Sequence, residues 1–272
     1  MQTVLTIAGF DPSSGAGVTA DLMVFAAHGL FGTSCITGLT VQSTRGVHST
    51  HPTDPEIIRS TLEALAEDLP PAGIKIGMLC STVAVAEVIN FLGRLRDRGL
   101  GIPVVLDPVL QSSSGRELLE PSGVDLLRAG LLPLVDWVTP NLDELATLTG
   151  LPIESRADIS AAAHALQSHA AGEKAHKINV LVTGGHRDPP DDLLLAAGEE
   201  PIWIPGELVV SASTHGTGCA FSSALLSRLV LCDRPYAAAL AAKRYVAEAI
   251  RSAVPQGGGH GPLNHLWLLQ TR

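Results

Sequence analysis

Short apolar runs alternate along the chain with longer stretches whose apolar positions recur at helical spacing. Val4-Leu5-Thr6-Ile7 reads as a buried strand, residues 15–28 as a helix and 33–39 as a second strand. Thr53-Asp54-Pro55-Glu56 has the form of a helix start, a capping residue ahead of an early proline, and that helix extends to about Leu65. Ile74-Lys75-Ile76 predicts a short strand, 81–97 a long helix, and Val104-Val105-Leu106 a strand so apolar that both of its faces need cover. Further on the pattern gives a helix over 121–131, a strand over 137–139, helices over 142–149 and 155–171, and a strand over 179–183. Residues 193–197 and 201–204 are rich in strand formers, and two last helices cover about 216–231 and 235–254. Such alternation predicts an α/β fold, a mostly parallel doubly wound sheet with helices on both sides, formed as a single domain over 1–272.

Composition narrows the setting. The chain is 46% hydrophobic and 17% charged, enough to bury a full core. A net charge of -9 disfavours nucleic acid as a partner, so any phosphate must be held by local donors rather than by a global field. The cysteines Cys35, Cys80, Cys219 and Cys232 have no C-x-x-C spacing, which fits a reducing cytoplasm. No stretch reads as a signal peptide or a membrane span. The histidines show no zinc spacing.

In doubly wound sheets ligands lie beyond the carboxyl ends of the strands, and the unusual residues of this chain collect there. Most telling is Thr214-His215-Gly216-Thr217-Gly218-Cys219, which runs directly into the helix pattern of Ala220, Leu225, Leu226 and Leu229. Its glycines let successive amides converge, and the helix adds free N–H groups and the positive end of its dipole: an anion cradle. At its rim, positive potential favours a Cys219 thiolate and makes it a candidate proton acceptor. Taken alone, the turn reads equally well as a helix cap beside an inert cysteine. The same rim carries Gly9, Asp11 and Gly15-Ala16-Gly17 with Asp21, then Gln42, Gly77-Met78, Asp107-Pro108-Val109, Thr139-Pro140-Asn141 with Glu144, and Thr183-Gly184-Gly185-His186. Although 15–20 satisfies G-x-G-x-x-A, Gly15 stands well past the strand end at Ala8 and no acid closes the second strand, which excludes a dinucleotide fingerprint. For Asp21 the choice stays open between a substrate contact and a carboxylate favoured by the first turns of a helix.

Together these motifs resemble the hydroxymethylpyrimidine and phosphomethylpyrimidine kinases of thiamine biosynthesis, within the ribokinase-like superfamily. The resemblance rests on Thr6-Ile7-Ala8-Gly9, Asp11, Gly15-Ala16-Gly17 with Ala20-Asp21-Leu22, Gln42 to Val47, Lys75 to Leu79, Asp107-Pro108-Val109, Thr139-Pro140-Asn141, His215 to Cys219 and His260-Gly261-Pro262. It implies a three-layer α/β/α fold, ATP and Mg2+ as cofactors, and transfer of the γ-phosphoryl group to the hydroxymethyl of an aminopyrimidine and then to its monophosphate. Cys219 would accept the alcohol proton, with Gly216, Thr217 and Gly218 stabilising the migrating group. Gly9, Asp21, Gln42, Met78 and Val109 would hold the ring; Asn141, Thr183, Gly185, Thr214, Gly216 and Gly218 would hold the nucleotide; Asp107 and Glu144 would face the metal. Without the resemblance, Gln42 reads as a solvated amide and Met78 as core. It also suggests a homodimer, for which the β segments over 33–47 offer a pairing surface.

Two positions depart from the family pattern, each where many members have lysine: Thr183, and the loop 111–115 around Ser113. The first implies weaker nucleotide binding, with local donors replacing the lost charge. Two other activities share the pattern, a pyridoxal or pyridoxine kinase and a catalytically weak pyrimidine-binding regulatory protein. His260-Gly261-Pro262 acquires no role beyond packing or closing the site.

Overall fold

Nine strands form one sheet among the residues that the computed structural model describes, 1–99, 101–112, 115–171, 178–185 and 188–270. They are β1 (Thr3–Phe10), β2 (Phe31–Ser43), β3 (Gly46–Pro52), β4 (Ile74–Ile76), β5 (Val104–Leu106), β6 (Trp137–Val138), β7 (Asn179–Val182), β8 (Asp192–Leu195) and β9 (Ile202–Ile204). Their order is β3-β2-β1-β4-β5-β6-β7-β8-β9, parallel from β2 to β7 and antiparallel at both edges. The helices are α1 (Gly17–Ala27), α2 (Pro55–Asp68), α3 (Thr82–Asp97), α4 (Pro121–Leu126), α5 (Leu142–Thr149), α6 (Arg156–Ala171), α7 (Thr217–Val230), α8 (Pro235–Arg251) and the short α9 (Trp267–Gln270).

Strand alternation divides the core into two layers. Leu5, Ile7, Ile74, Ile76, Val104 and Leu106 pack with α2, α3, α5 and α6. Val4 and Val105 face the other way, against Val24 and Phe25 of α1, Leu225 of α7 and Ala242 of α8. Burying each such Leu, Ile or Phe contributes about 1.5–3 kcal/mol, which is why the sheet tolerates polar groups only at its rim or in pairs. The result is the expected three-layer α/β/α arrangement.

Local signals explain most helix starts. Asp54 accepts the Glu56 amide at 2.8 Å with Pro55 in the first turn of α2, and Ser81 caps α3 through the Ala84 amide at 3.2 Å. Two segments differ from their pattern. The helix expected over 121–131 ends at Leu126, passes through one π turn (Leu127–Leu131) and tightens into a 3-10 turn at Leu132–Leu134, where Pro133 has no amide to give. The second strand runs on to Ser43 and turns back as β3, a polar hairpin whose pairing has a register shift between Val41 and Gln42. Gln42 therefore lies inside a strand, paired with Val47, and not in a loop.

Candidate active site

The ends of β1, β4, β5, β6 and β7 open onto the N-terminus of α7. Ala220 is the first amide of that helix to close a helical bond, onto the Gly216 carbonyl at 2.9 Å. Among the described residues no acceptor stands on the amides of Thr217, Gly218 or Cys219, so three donors point outward together. Thr217 braces the turn by donating its hydroxyl to the Thr214 carbonyl at 2.6 Å. Gly216 has φ +84°, and a side chain there would come within 1.8 Å of the Gly15 carbonyl oxygen. The 9–17 loop and the α7 turn thus touch backbone to backbone, which is why the glycines cluster.

Beneath Gly218 lies Asp107, its carboxylate oxygens 3.8 Å from the position of a Cβ at that glycine. The Ser222 hydroxyl donates to this carboxylate at 3.1 Å, and Cys219 lies close enough to act on its charge. Here the expectation of a resting thiolate needs correcting. Burial pushes the Cys219 thiol up to about 12, and the pull of Lys75 and of the Gly17 amide on its sulfur does not offset that. Burial, with a smaller push from the Asp107 and Asp21 carboxylates, favours the neutral Cys219 thiol.

Asp21 requires a second correction. It is fully buried, and its carboxylate is used up by Thr6 Oγ1 at 2.6 Å, Ser223 Oγ at 2.7 Å and Lys75 Nζ at 3.0 and 3.1 Å. No oxygen remains for a substrate. The sheet register accounts for this: Thr6 and Lys75 are neighbours across β1 and β4 and project to the α1/α7 face, where Asp21 and Ser223 meet them. Burial works against the charge on Lys75, yet Asp21, with Asp107, holds its pKa above the usual lysine value. Lys75 is thus a permanent cation under the anion cradle. Sequence reasoning gave Lys75 no role in the site, although a charge in the middle of a three-residue buried strand was the available signal.

On the acceptor side, Asp11 is a hub. Its Oδ1 accepts the Ser13 amide (2.8 Å) and hydroxyl (2.7 Å), and its Oδ2 accepts the amides of Gly15 (3.2 Å) and Ala16 (2.9 Å) and the His215 Nε2–H (2.8 Å). Burial opposes its charge, but the His215 and Ser13 bonds keep its carboxyl below the usual range. Gln42 Nε2 lies 2.9 Å from the same His215 nitrogen, so turning the amide over would put its oxygen beside that N–H. Asp11 and His215 join the 9–17 loop to the cradle, a link that their separation in sequence concealed. Met78 is buried with its methyl over Gly9, 2.1 Å from where a Cβ would stand. Gly9 and Met78 are therefore brought together, with Gln42 on His215, and Val109 sits half-buried beyond Asp107, its amide turned back onto the Asp107 carbonyl at 2.8 Å.

The opposite wall is built by a capping box. Asn141 accepts the Glu144 amide at 2.9 Å, and Glu144 accepts the Asn141 amide at 2.8 Å. Burial and the nearby Asp107 charge raise Glu144 well above the usual carboxylate range, and burial also raises Asp107. Two buried carboxylates that repel one another suit a divalent cation that would neutralise both, and Mg2+ takes one or two such ligands with phosphates and water. Asn141 bridges Thr183, whose amide donates to the Pro140 carbonyl at 3.0 Å; Gly185 is exposed just beyond. Thr214 is half-buried, its hydroxyl 3.4 Å from His260 Nδ1. Ser113 and His186 lie outside the described residues.

The family model described as phosphomethylpyrimidine kinase matches residues 11–264. The hydroxymethylpyrimidine/phosphomethylpyrimidine kinase of Haemophilus influenzae is 38% identical over 270 residues, 97% of each chain. That of Bacillus subtilis is 36% identical over 96% of this chain and 93% of its own. Among solved structures, phosphomethylpyrimidine kinase from Clostridium difficile is 34% identical with a TM-score of 0.77, covering 92% of this chain and 100% of its own. An ADP complex of Bacillus subtilis pyridoxal kinase is 28% identical with a TM-score of 0.86 over 100% of both chains. With a family model spanning nearly the whole chain and full-length relatives above 30% identity, this chain belongs to the phosphomethylpyrimidine kinase family.

Proposed function

We propose that this kinase transfers the γ-phosphoryl group of ATP to the hydroxymethyl oxygen of 4-amino-5-hydroxymethyl-2-methylpyrimidine and then to the resulting monophosphate, for thiamine biosynthesis. The observation that carries this reading is the set of free amides at Thr217, Gly218 and Cys219, set over Asp107 and Lys75, with Gln42 joined to the same turn through His215. Phosphoryl transfer has a loose transition state, so positioned donors matter more than a strong base. The Gln42 amide group that His215 leaves free meets the aminopyrimidine edge, Met78 lies on the ring face, and Gly9 and Val109 close the sides. Asp21 acts indirectly, by holding Lys75.

The alcohol proton passes to the Cys219 sulfur as the thiol's own proton moves to Asp107, so a neutral thiol serves without an accumulated thiolate. Asn141, Thr183, Gly185 and Thr214 line the nucleotide phosphates. Glu144 would hold Mg2+, with Asp107 contributing its charge from nearby, and the ion would supply charge neutralisation for the phosphates. The homodimer surface, in this reading, is the β2–β3 hairpin with its exposed Leu39 and Val41; sedimentation equilibrium checks it, and a monomer at micromolar concentration refutes it.

The test is ADP release with ATP, Mg2+ and each of hydroxymethylpyrimidine, its monophosphate and pyridoxal. Turnover of the two pyrimidines is expected, with pyridoxal slower. Preference for pyridoxal would favour the activity of the pyridoxal kinase neighbours, and binding without turnover would favour a regulatory protein. Thr183→Lys is expected to lower the ATP KM about threefold to tenfold by restoring a cation beside Asn141. Unchanged ATP KM and kcat would remove Thr183 from the nucleotide site.

A further inference from the structure

The segment 256–265 crosses the rim of the site and touches the β2–β3 turn, the His215 turn and the 9–17 loop. At one end Gly259 lies so close to the β2–β3 turn that a Cβ would stand 2.0 Å from the Thr44 carbonyl oxygen, two residues beyond Gln42. In the middle Gly261 accepts the His215 amide at 3.1 Å and donates to the Ala212 carbonyl at 2.9 Å, while Pro262 bridges His215. At the other end the His265 ring, 3% exposed, donates from Nε2 to the Gly15 carbonyl at 3.1 Å. That carbonyl is the one pressed against Gly216 at the mouth of the cradle. An unattended carbonyl oxygen there would repel an incoming phosphate, and the imidazole N–H both pins it and offsets its charge. The far side is anchored to α8: Tyr245 donates its hydroxyl to the His265 carbonyl at 2.5 Å, and the Asn264 amide donates to the Ala249 carbonyl at 3.0 Å.

We propose that 256–265 is a positioning strap for the kinase reaction, with His265 holding the Gly15 carbonyl away from the phosphoryl path and Gly259 seating the Gln42 hairpin at the right distance from the cradle. None of the strap's side chains needs to touch the substrate. Burial keeps His265 neutral, which suits a ring that gives one N–H to a carbonyl and leaves Nδ1 without a partner among the described residues. The proposal rests on the phosphoryl-transfer reading above and goes beyond it by assigning a role to the His260-Gly261-Pro262 motif.

The two ends should fail differently. His265→Leu removes the donor and is expected to lower kcat by about tenfold to a hundredfold, the cost of a small misplacement at the reacting groups, with little change in pyrimidine KM. His265→Gln carries an amide N–H of similar reach and should recover most of the loss, which a purely structural role would not require. Gly259→Ala must push the Thr44 turn outward, and is expected to raise pyrimidine KM about tenfold while ATP KM stays within twofold. Wild-type turnover of hydroxymethylpyrimidine is measured first, since its absence sinks the functional reading itself. With wild type active, the strap is refuted if His265→Gln is as slow as His265→Leu, or if Gly259→Ala shifts both KM values equally or neither. If His265→Leu fails to fold, the kcat of His265→Gln and the KM pair of Gly259→Ala decide.

Discussion

Gly216→Ala is expected to lower kcat by about 10²–10³-fold, the loss typical of removing oxyanion donors, while the protein still folds. The residue sits at φ +84°, where an L side chain costs about 1–2 kcal/mol, and its methyl would lie 1.8 Å from the Gly15 oxygen. Both neighbours are backbone, so no side chain can swing aside. The α7 turn must retreat from the 9–17 loop, carrying the amides of Thr217, Gly218 and Cys219 away from the phosphoryl path. A fall in Tm of a few degrees accompanies this, as a change of 1–2 kcal/mol produces in a domain of this size. Gly93→Ala is the control: it lies within α3 with nothing inside 4 Å of the new methyl, and should leave turnover unchanged and stability slightly improved. Steady-state kinetics with both pyrimidines and thermal melts check the pair, and a Gly216→Ala enzyme within threefold of wild type would move the transferred phosphate elsewhere.

The cradle itself was legible because a glycine turn running into an apolar helix leaves its amides free whatever packs around it. The capped helices were legible for the same local reason: Asp54 and Asn141 do their work within three residues. What escaped was set by partners distant in the chain. Asp21 looked free because Lys75, Thr6 and Ser223 are joined to it only by the β1–β4 register and by α7. Cys219 looked like a thiolate because helix dipole and glycine amides can be read locally, whereas Asp107, Asp21 and burial cannot. The β segments expected over 33–47 are there as the β2–β3 hairpin, but the point at which β2 ends was not legible, for another reason. Residues 42–46 are polar and half-exposed, an edge with one solvated side, so the apolar alternation that marks a strand fades there.

Lys75→Met carries the other large effect, and it separates electrostatics from folding. Removing the ammonium leaves Asp21 fully buried with only hydroxyl donors, and breaking such a pair costs about 3–5 kcal/mol, a large share of a domain's net stability. Poor soluble yield or a strongly lowered Tm is therefore expected. The double variant Lys75→Met/Asp21→Asn should recover most of that stability, since the amide is neutral and its oxygen still accepts from Thr6 or Ser223. It should not recover turnover. The cation beside Cys219 and Asp107 would still be missing, in a chain of net charge -9. Arising phosphoryl charge would then meet the Asp107 and Glu144 carboxylates with the amides alone to balance it, and a kcat at least tenfold below wild type is expected, about 1.4 kcal/mol of lost transition-state stabilisation. Chemical denaturation and ADP-release kinetics on the three proteins decide between the roles. A double variant that is both stable and fully active would make Lys75 a structural residue only, and the cradle would have to work by its backbone donors and its metal.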